Sequence, residues 1–258
     1  MPDIAHKSKK RTLLLPVICF FISFLFLAMY SVFEFAPSAG AHIGSIMWRY
    51  GVKASVAALK LGIWFVSIAA CFAACYFLCV MLGEEQMQAR VMHCCFAYAF
   101  ALYLILALNM LLIDPLYGRS ASNILSWLDY SQLEMRRYIR QSTNFVPLKT
   151  LYLYANGWRR GYISSKDAFN NIIGNILAMS PLSLMLPVLF KSMRKPSHCL
   201  CCIFVFISAI ELLQLALMTG VCDIDDLLLN MLGAFLSSFV FNKPSVKRWM
   251  KRHFFVSY

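Results

Sequence analysis

A bilayer core of about 30 Å is crossed by a helix of roughly 20 apolar residues. Six stretches of that kind run along this chain, at 12–33, 61–82, 91–113, 168–190, 199–218 and 224–241. No other feature restricts the fold so much, because in lipid a spanning segment must satisfy its own backbone hydrogen bonds. Composition agrees: 60% of the 258 residues are hydrophobic and 14% charged, against about 45–50% and about 25% in soluble chains. The expected fold class is all-α, a polytopic integral membrane helix bundle of about six transmembrane helices. The first run exceeds the roughly 7–15 apolar residues of a signal peptide, so it reads as an uncleaved anchor. The last is short and would cross with little tilt.

The formal net charge of +12 raises the question of nucleic acid, and the distribution of the cations answers it. With six spans and a cytoplasmic N-terminus, thirteen Lys and Arg fall in inner tails and short loops, and three (Arg49, Lys53, Lys60) in the first outer loop. The remaining eight lie in the long 114–167 loop, where the positive-inside rule acts weakly. The basicity is therefore topology, with both termini cytoplasmic and no nucleic-acid partner. The chain divides into a three-span region (1–113), a long outer loop (114–167), a three-span core (168–242) and a basic tail (243–258). The tail, KPSVKRWMKRHFF, has the pattern of a basic amphipathic helix on an anionic leaflet.

Within the outer loop, Ile124, Leu125, Leu128, Leu133 and Ile139 recur at helical spacing. They predict an amphipathic helix at the outer interface, with Trp127, Tyr130 and Tyr138 at headgroup level. Pro147 predicts an extended or turned exit, and 40–60 is expected to be a surface helix. Among the ten cysteines, Cys71, Cys75 and Cys79 form one stripe of a helix and read as small apolar packing residues. His93–Cys95 and His198–Cys202 lack a second ligand pair at zinc-finger spacing. Cys222 is the only cysteine expected outside, and is expected to be unpaired.

The last three spans carry groups that lipid should exclude. Asn170, Asn171 and Asn175 open the fourth, and Asn171 and Asn175 share a face; Pro181 and Pro187 can kink it. Glu211 and Gln214 share a face of the fifth. In the sixth, Asp223, Asp226 and Asn230 line one face at i, i+3 and i+7, with Asp225 turned aside. Six-span topology brings these groups to one depth, toward the outer leaflet. An ionisable residue in a span costs about 2.5–3.5 kcal/mol on insertion scales, and helix capping does not require three carboxylates. The set reads as a water-accessible polar site.

The run STNFVPLKTL, then NIIGNILAMSPLSLMLP, IELLQ and DIDDLLLNMLGAF, resembles in order and spacing the motifs of the VanZ-like family. The resemblance covers about 136–241. Departures fall at Ser183, Met179 and Met231, where glycine, phenylalanine and threonine are expected. They are packing changes that leave the polar set intact. The resemblance implies an integral membrane protein of Gram-positive type bacteria associated with resistance to the glycopeptide teicoplanin. It implies no defined reaction.

From the residues, the site is expected to bind or modify a lipid-linked envelope component at the outer leaflet. Asp223, Asp225 and Asp226 would hold a divalent cation through oxygens. Arg137 and Arg140 would fork onto a phosphate, and Asn144, Asn171, Asn175, Gln214 and Asn230 would serve the rest of the ligand. Glu211, desolvated by its span, is the candidate acid or base. The alternative is a non-catalytic scaffold that shields the precursor or docks a partner enzyme. Transport is weaker, since no paired inverted halves are visible, and no nucleophile or phosphate-loop motif occurs.

Overall fold

In lipid a spanning segment satisfies its backbone polar groups as a helix or in a closed barrel, and the described residues of this chain are almost entirely helical. The structure, a computed structural model, describes residues 16–25, 27–28, 56–112 and 131–255. Its described elements begin with α1 (Pro16–Leu25), α2 (Val56–Leu82), α3 (Glu85–Leu112) and α4 (Gln132–Gln141). Then come β1 (Thr143–Asn144), α5 (Lys149–Arg159), α6 (Ser165–Ala178), α7 (Leu182–Leu189) and α8 (Pro196–Ala216). The series ends with β2 (Cys222–Asp223), α9 (Ile224–Phe241) and α10 (Pro244–Phe254). Among the described residues, five helical stretches are long and apolar enough to cross a membrane: Gly62–Met81, Glu85–Asn109, Ala168–Leu189, Pro196–Ala216 and Ile224–Phe241. The fold is an all-helical membrane bundle. Of the expected span at 12–33, residues 16–25 form an apolar helix, and most of the rest lies outside the described residues. So do the expected surface helix at 40–60, apart from 56–60 in α2, and the positions Ile124, Leu125, Trp127, Leu128 and Tyr130.

The chain forms two compact units, Met1–Ala99 with Arg252–Val256, and Phe100–Lys251 with Ser257–Tyr258. In the first, α2 stops at Gly83, whose φ of 71° is the left-handed conformation a helix C-terminus favours in glycine. The chain then reverses into α3, and Gln88 ties the turn by donating from Nε2 to the Cys79 carbonyl at 2.8 Å. Ser67 hydroxyl donates to the Ser23 carbonyl at 3.0 Å, joining α2 to α1. Phe72 meets Phe96 edge-on at 5.0 Å between centroids, and Phe254 at the end of α10 packs on both rings.

The second unit is organised around α9. The expected fourth span is interrupted: α6 ends at Ala178 and α7 starts at Leu182, because Pro181 has no N–H to continue the ladder. Ser180 hydroxyl takes up the Ile176 carbonyl at 2.7 Å beside the break, and Tyr103 hydroxyl donates to the Ala178 carbonyl at 2.5 Å. On the α9 side, Ser183 hydroxyl donates to the Ala234 carbonyl at 2.7 Å, a use for the serine found where glycine was expected. Pro196 occupies the first turn of α8, where a missing N–H costs nothing. The C-terminal part of the expected amphipathic helix is present as α4. Ser131 hydroxyl accepts the Glu134 N–H, and Glu134 accepts the Ser131 N–H at 2.9 Å and its hydroxyl at 2.7 Å. The Ser131 bonds hold the Glu134 carboxyl below its ordinary value, with Arg137 adding to the effect. A lowered carboxylate pKa means the cap is intact above the ordinary value and is lost only as pH falls through the lowered one.

At Gly233 the backbones of α6 and α9 come into close contact. A Cβ there would stand 1.7 Å from the Ile176 carbonyl oxygen, and backbone cannot yield as a side chain can. Small residues permit this kind of contact between membrane helices. Overpacking costs about 1–3 kcal/mol, occasionally more. Gly233→Ala should therefore lower the Tm in detergent by roughly 2–12 °C. Gly174→Ala, with nothing within 4 Å of the added Cβ, should leave it unchanged or raise it. Equal Tm values for the two variants would contradict the contact.

Candidate functional site

The run Asp-Ile-Asp-Asp starts α9, and each carboxylate takes a different direction. Asp223 is the N-cap, and its Oδ1 accepts the Asp225 N–H at 2.9 Å, as capping chemistry requires. The same carboxylate reaches out of the helix. Oδ1 accepts from Asn144 Nδ2 at 2.9 Å, and Oδ2 accepts the Thr150 hydroxyl. Its own backbone N–H donates to Glu211 Oε2 at 3.2 Å, which carries the network into α8.

Asp225 is completely enclosed, with 0% of its surface exposed. Its Oδ1 accepts the Leu148 N–H at 2.5 Å, and its Oδ2 accepts Thr150 N–H at 2.7 Å and Leu151 N–H at 3.3 Å. These are the free N–H groups at the start of α5. Leu148 sits at the N-cap with φ 65° and offers no side-chain cap of its own. A carboxylate from α9 does what a local serine or aspartate does elsewhere, and its charge suits the positive end of the helix.

The same chain segments are laced together on either side. Thr143 and Asn144 pair in parallel with Cys222 and Asp223, and Cys222 N–H donates to the Ser142 carbonyl at 2.9 Å. Tyr138 hydroxyl donates to the Gly220 carbonyl. Asn144 Oδ1 accepts the Val146 N–H at 3.3 Å, the turn chemistry expected of asparagine ahead of Pro147. Cys222 is a free, buried thiol. Burial first, and then the carboxylates of Glu211 and Asp223, push its pKa up.

Asn144, Glu211, Asp223 and Asp225 thus meet in one network. Asn175 donates from Nδ2 to Asp226 Oδ1 at 2.6 Å, linking α6 to α9, and Asn230 donates to the Asp226 carbonyl at 2.8 Å within its own helix. Asn230 Oδ1 and Thr219 Oγ1 are buried without a hydrogen-bond partner. Gln214 points elsewhere, donating to the Leu111 carbonyl at 2.7 Å and so tying α8 to the end of α3. Asn170, Asn171, Arg137 and Arg140 are exposed.

One expectation changes. Asp225, read from helical periodicity as turned aside, is the most enclosed of the three, because the first turn of α9 faces α5. Both of its oxygens accept N–H groups from the start of α5. Missed in the sequence were Ser142, Thr150, the whole of α5 and the bond from Tyr138, read there as a headgroup-level ring, to the Gly220 carbonyl. The Ser-x-x-Glu pattern at Ser131 marks α4, but Leu151-Tyr152-Leu153-Tyr154 shows no helical period, and nothing local announces a cap supplied from α9.

The lacing leaves a different surface open. Phe145, Leu148, Tyr152, Trp158 and Tyr162 are each more than half exposed, Tyr162 at 82%. Lys149, Arg159 and Arg160 stand exposed among them, as do Arg136, Arg137 and Arg140 on α4. Aromatic rings beside cations suit a membrane–water boundary. A family model described as VanZ/LLP1 matches residues 100–243, more than half of the chain and nearly the whole second unit. No curated protein and no solved structure matches.

Removing the Asp225 charge should release the start of α5. A hydrogen bond to a charged group contributes about 1.5–3 kcal/mol. Amide exchange at Leu148, Thr150 and Leu151 should therefore quicken by roughly 10- to 150-fold in Asp225→Asn. Exchange at wild-type rates would show that the carboxylate does not hold this turn.

Proposed function

Because the chain belongs to the VanZ/LLP1 family, we propose that it contributes to teicoplanin or lipoglycopeptide resistance by binding a lipid-linked envelope component at the outer leaflet. The observation that carries this reading is the surface of α4 and α5, which puts six exposed cations (Arg136, Arg137, Arg140, Lys149, Arg159, Arg160) beside exposed tyrosine and tryptophan. Guanidinium groups fork onto phosphate oxygens, and aromatic rings seat at headgroup depth. A phosphate or pyrophosphate linked to lipid meets both requirements at once. Asn171, exposed midway along α6, supplies a polar group for the rest of the ligand.

The geometry favours binding over chemical modification. Asp223 and Asp225 accept hydrogen bonds that hold the fold, and Glu211 accepts one from the Asp223 backbone. A proton-transfer role would compete with these bonds. Binding alone, by shielding the precursor or presenting it to a partner enzyme, is the reading best suited to such a site.

The test is drug susceptibility of a sensitive Gram-positive host expressing wild type, a triple Arg136→Gln, Arg137→Gln, Arg140→Gln variant, or Glu211→Gln, at matched membrane abundance. Wild type should raise the teicoplanin threshold, the triple variant should lose most of that protection, and Glu211→Gln should keep it. Protection retained by the triple variant would remove the cationic surface from the account. Protection lost in Glu211→Gln alone would restore proton chemistry.

A further inference from the structure

The first unit lies outside the matched family segment, and it gathers chemistry that family membership does not account for. Cys71 and Cys75 are four residues apart on α2 and share a face. The turn at Gly83 brings α3 back antiparallel and sets Cys95 against them. The three Sγ atoms lie within 4.8 Å of one another, and Cys71 and Cys95 are 3.8 Å apart. All three side chains are at least nine-tenths buried. Beside them is a cavity of ≈ 500 Å³, lined also by Cys94, Arg90 and Tyr98.

We propose that Cys71, Cys75 and Cys95 form a binding site for a thiophilic d10 metal ion, Cu(I) or Zn(II). A metal–sulfur bond of about 2.3 Å places sulfurs about 3.8 Å apart in a tetrahedron and about 4.0 Å apart in a trigonal plane. The observed spacing needs little adjustment to reach either. The donors are sulfur alone, with no carboxylate or imidazole among them, which selects soft cations. The cavity leaves one side of the cluster open, where a fourth ligand can approach, and Arg90 on its wall offsets thiolate charge. On binding, each thiol that ligates as thiolate gives up its proton to solvent, so affinity falls as pH is lowered. Packing explains each cysteine as a small apolar residue, but it does not require three sulfurs to converge. A disulfide would join two of them at about 2.05 Å and leave the third unused.

The experiment uses the full chain, purified in detergent with a phosphine reductant. It is titrated separately with Cu(I) and with Zn(II) against a chromogenic chelator for each. One ion per chain is expected for at least one metal, and the two titrations tell which. Cys71→Ser, Cys75→Ser and Cys95→Ser should each bind at least about tenfold more weakly, since even partners one shell further out cost that much. Cys201→Ser, an exposed cysteine elsewhere on the chain, should bind as wild type. X-ray absorption of the loaded wild type should count three sulfur neighbours near about 2.3 Å, a result independent of how the variants fold. The proposal is overturned if wild type retains neither metal, or if fewer than three sulfurs are counted. It also fails if the three serine variants bind as wild type, or if alkylation in native membranes traps a Cys71–Cys95 disulfide in place of free thiols.

Discussion

A carboxylate buried at the start of α9 satisfies the backbone of a helix some 75 residues earlier in the chain, and the order of the surrounding surface follows from that contact. The first turn of any helix has N–H groups without internal partners. α5 has no serine, threonine or aspartate of its own at the N-cap, and Leu148 holds a left-handed conformation there. Asp225 supplies the acceptors, and Asp223 adds Asn144 and Thr150. Burying a lone carboxylate is costly; burying one that faces three N–H groups is not.

The consequence for function is a division of labour among charges. Asp223 and Asp225 fix the start of α5, which carries part of the exposed cationic surface. Once 142–151 is pinned to the α8–α9 junction by the short parallel pair and the two aspartates, α5 projects rings and cations from one edge of the unit. Close packing of α6 on α9 at Gly233, the Ser183–Ala234 bond and the Asn175–Asp226 bond give that junction a rigid support.

Much of the fold could be read directly. Length and apolar content locate α2, α3, α8 and α9 within several residues, because lipid leaves the backbone so few options. Pro181 announces the break between α6 and α7. Glu211, Asp223 and Asp225 could be picked out as residues that lipid excludes and Asn144 as a candidate from the outer loop, and the structure joins these four. Their roles were not legible. Helical periodicity assigns Asp225 a face, but an N-terminal turn faces whatever packs there, and that neighbour is set by tertiary structure. α5 was hidden by its unbroken Leu-Tyr-Leu-Tyr run. The cysteine stripe was visible on α2, whereas the third thiol depends on the register of the hairpin.

The most direct test of the central claim is a cross-link across the short parallel pair. Thr143 and Cys222 are register partners in the parallel pair, and neighbouring strands lie about 4.7–4.9 Å apart, within the roughly 4.4–6.8 Å between Cα atoms that a disulfide spans. Under mild oxidation in membranes, Thr143→Cys should cross-link to Cys222, read by peptide mapping. The yield should fall sharply when Asp225→Ala is added. A cross-link that forms equally well without the Asp225 carboxylate, or never forms, would contradict the account.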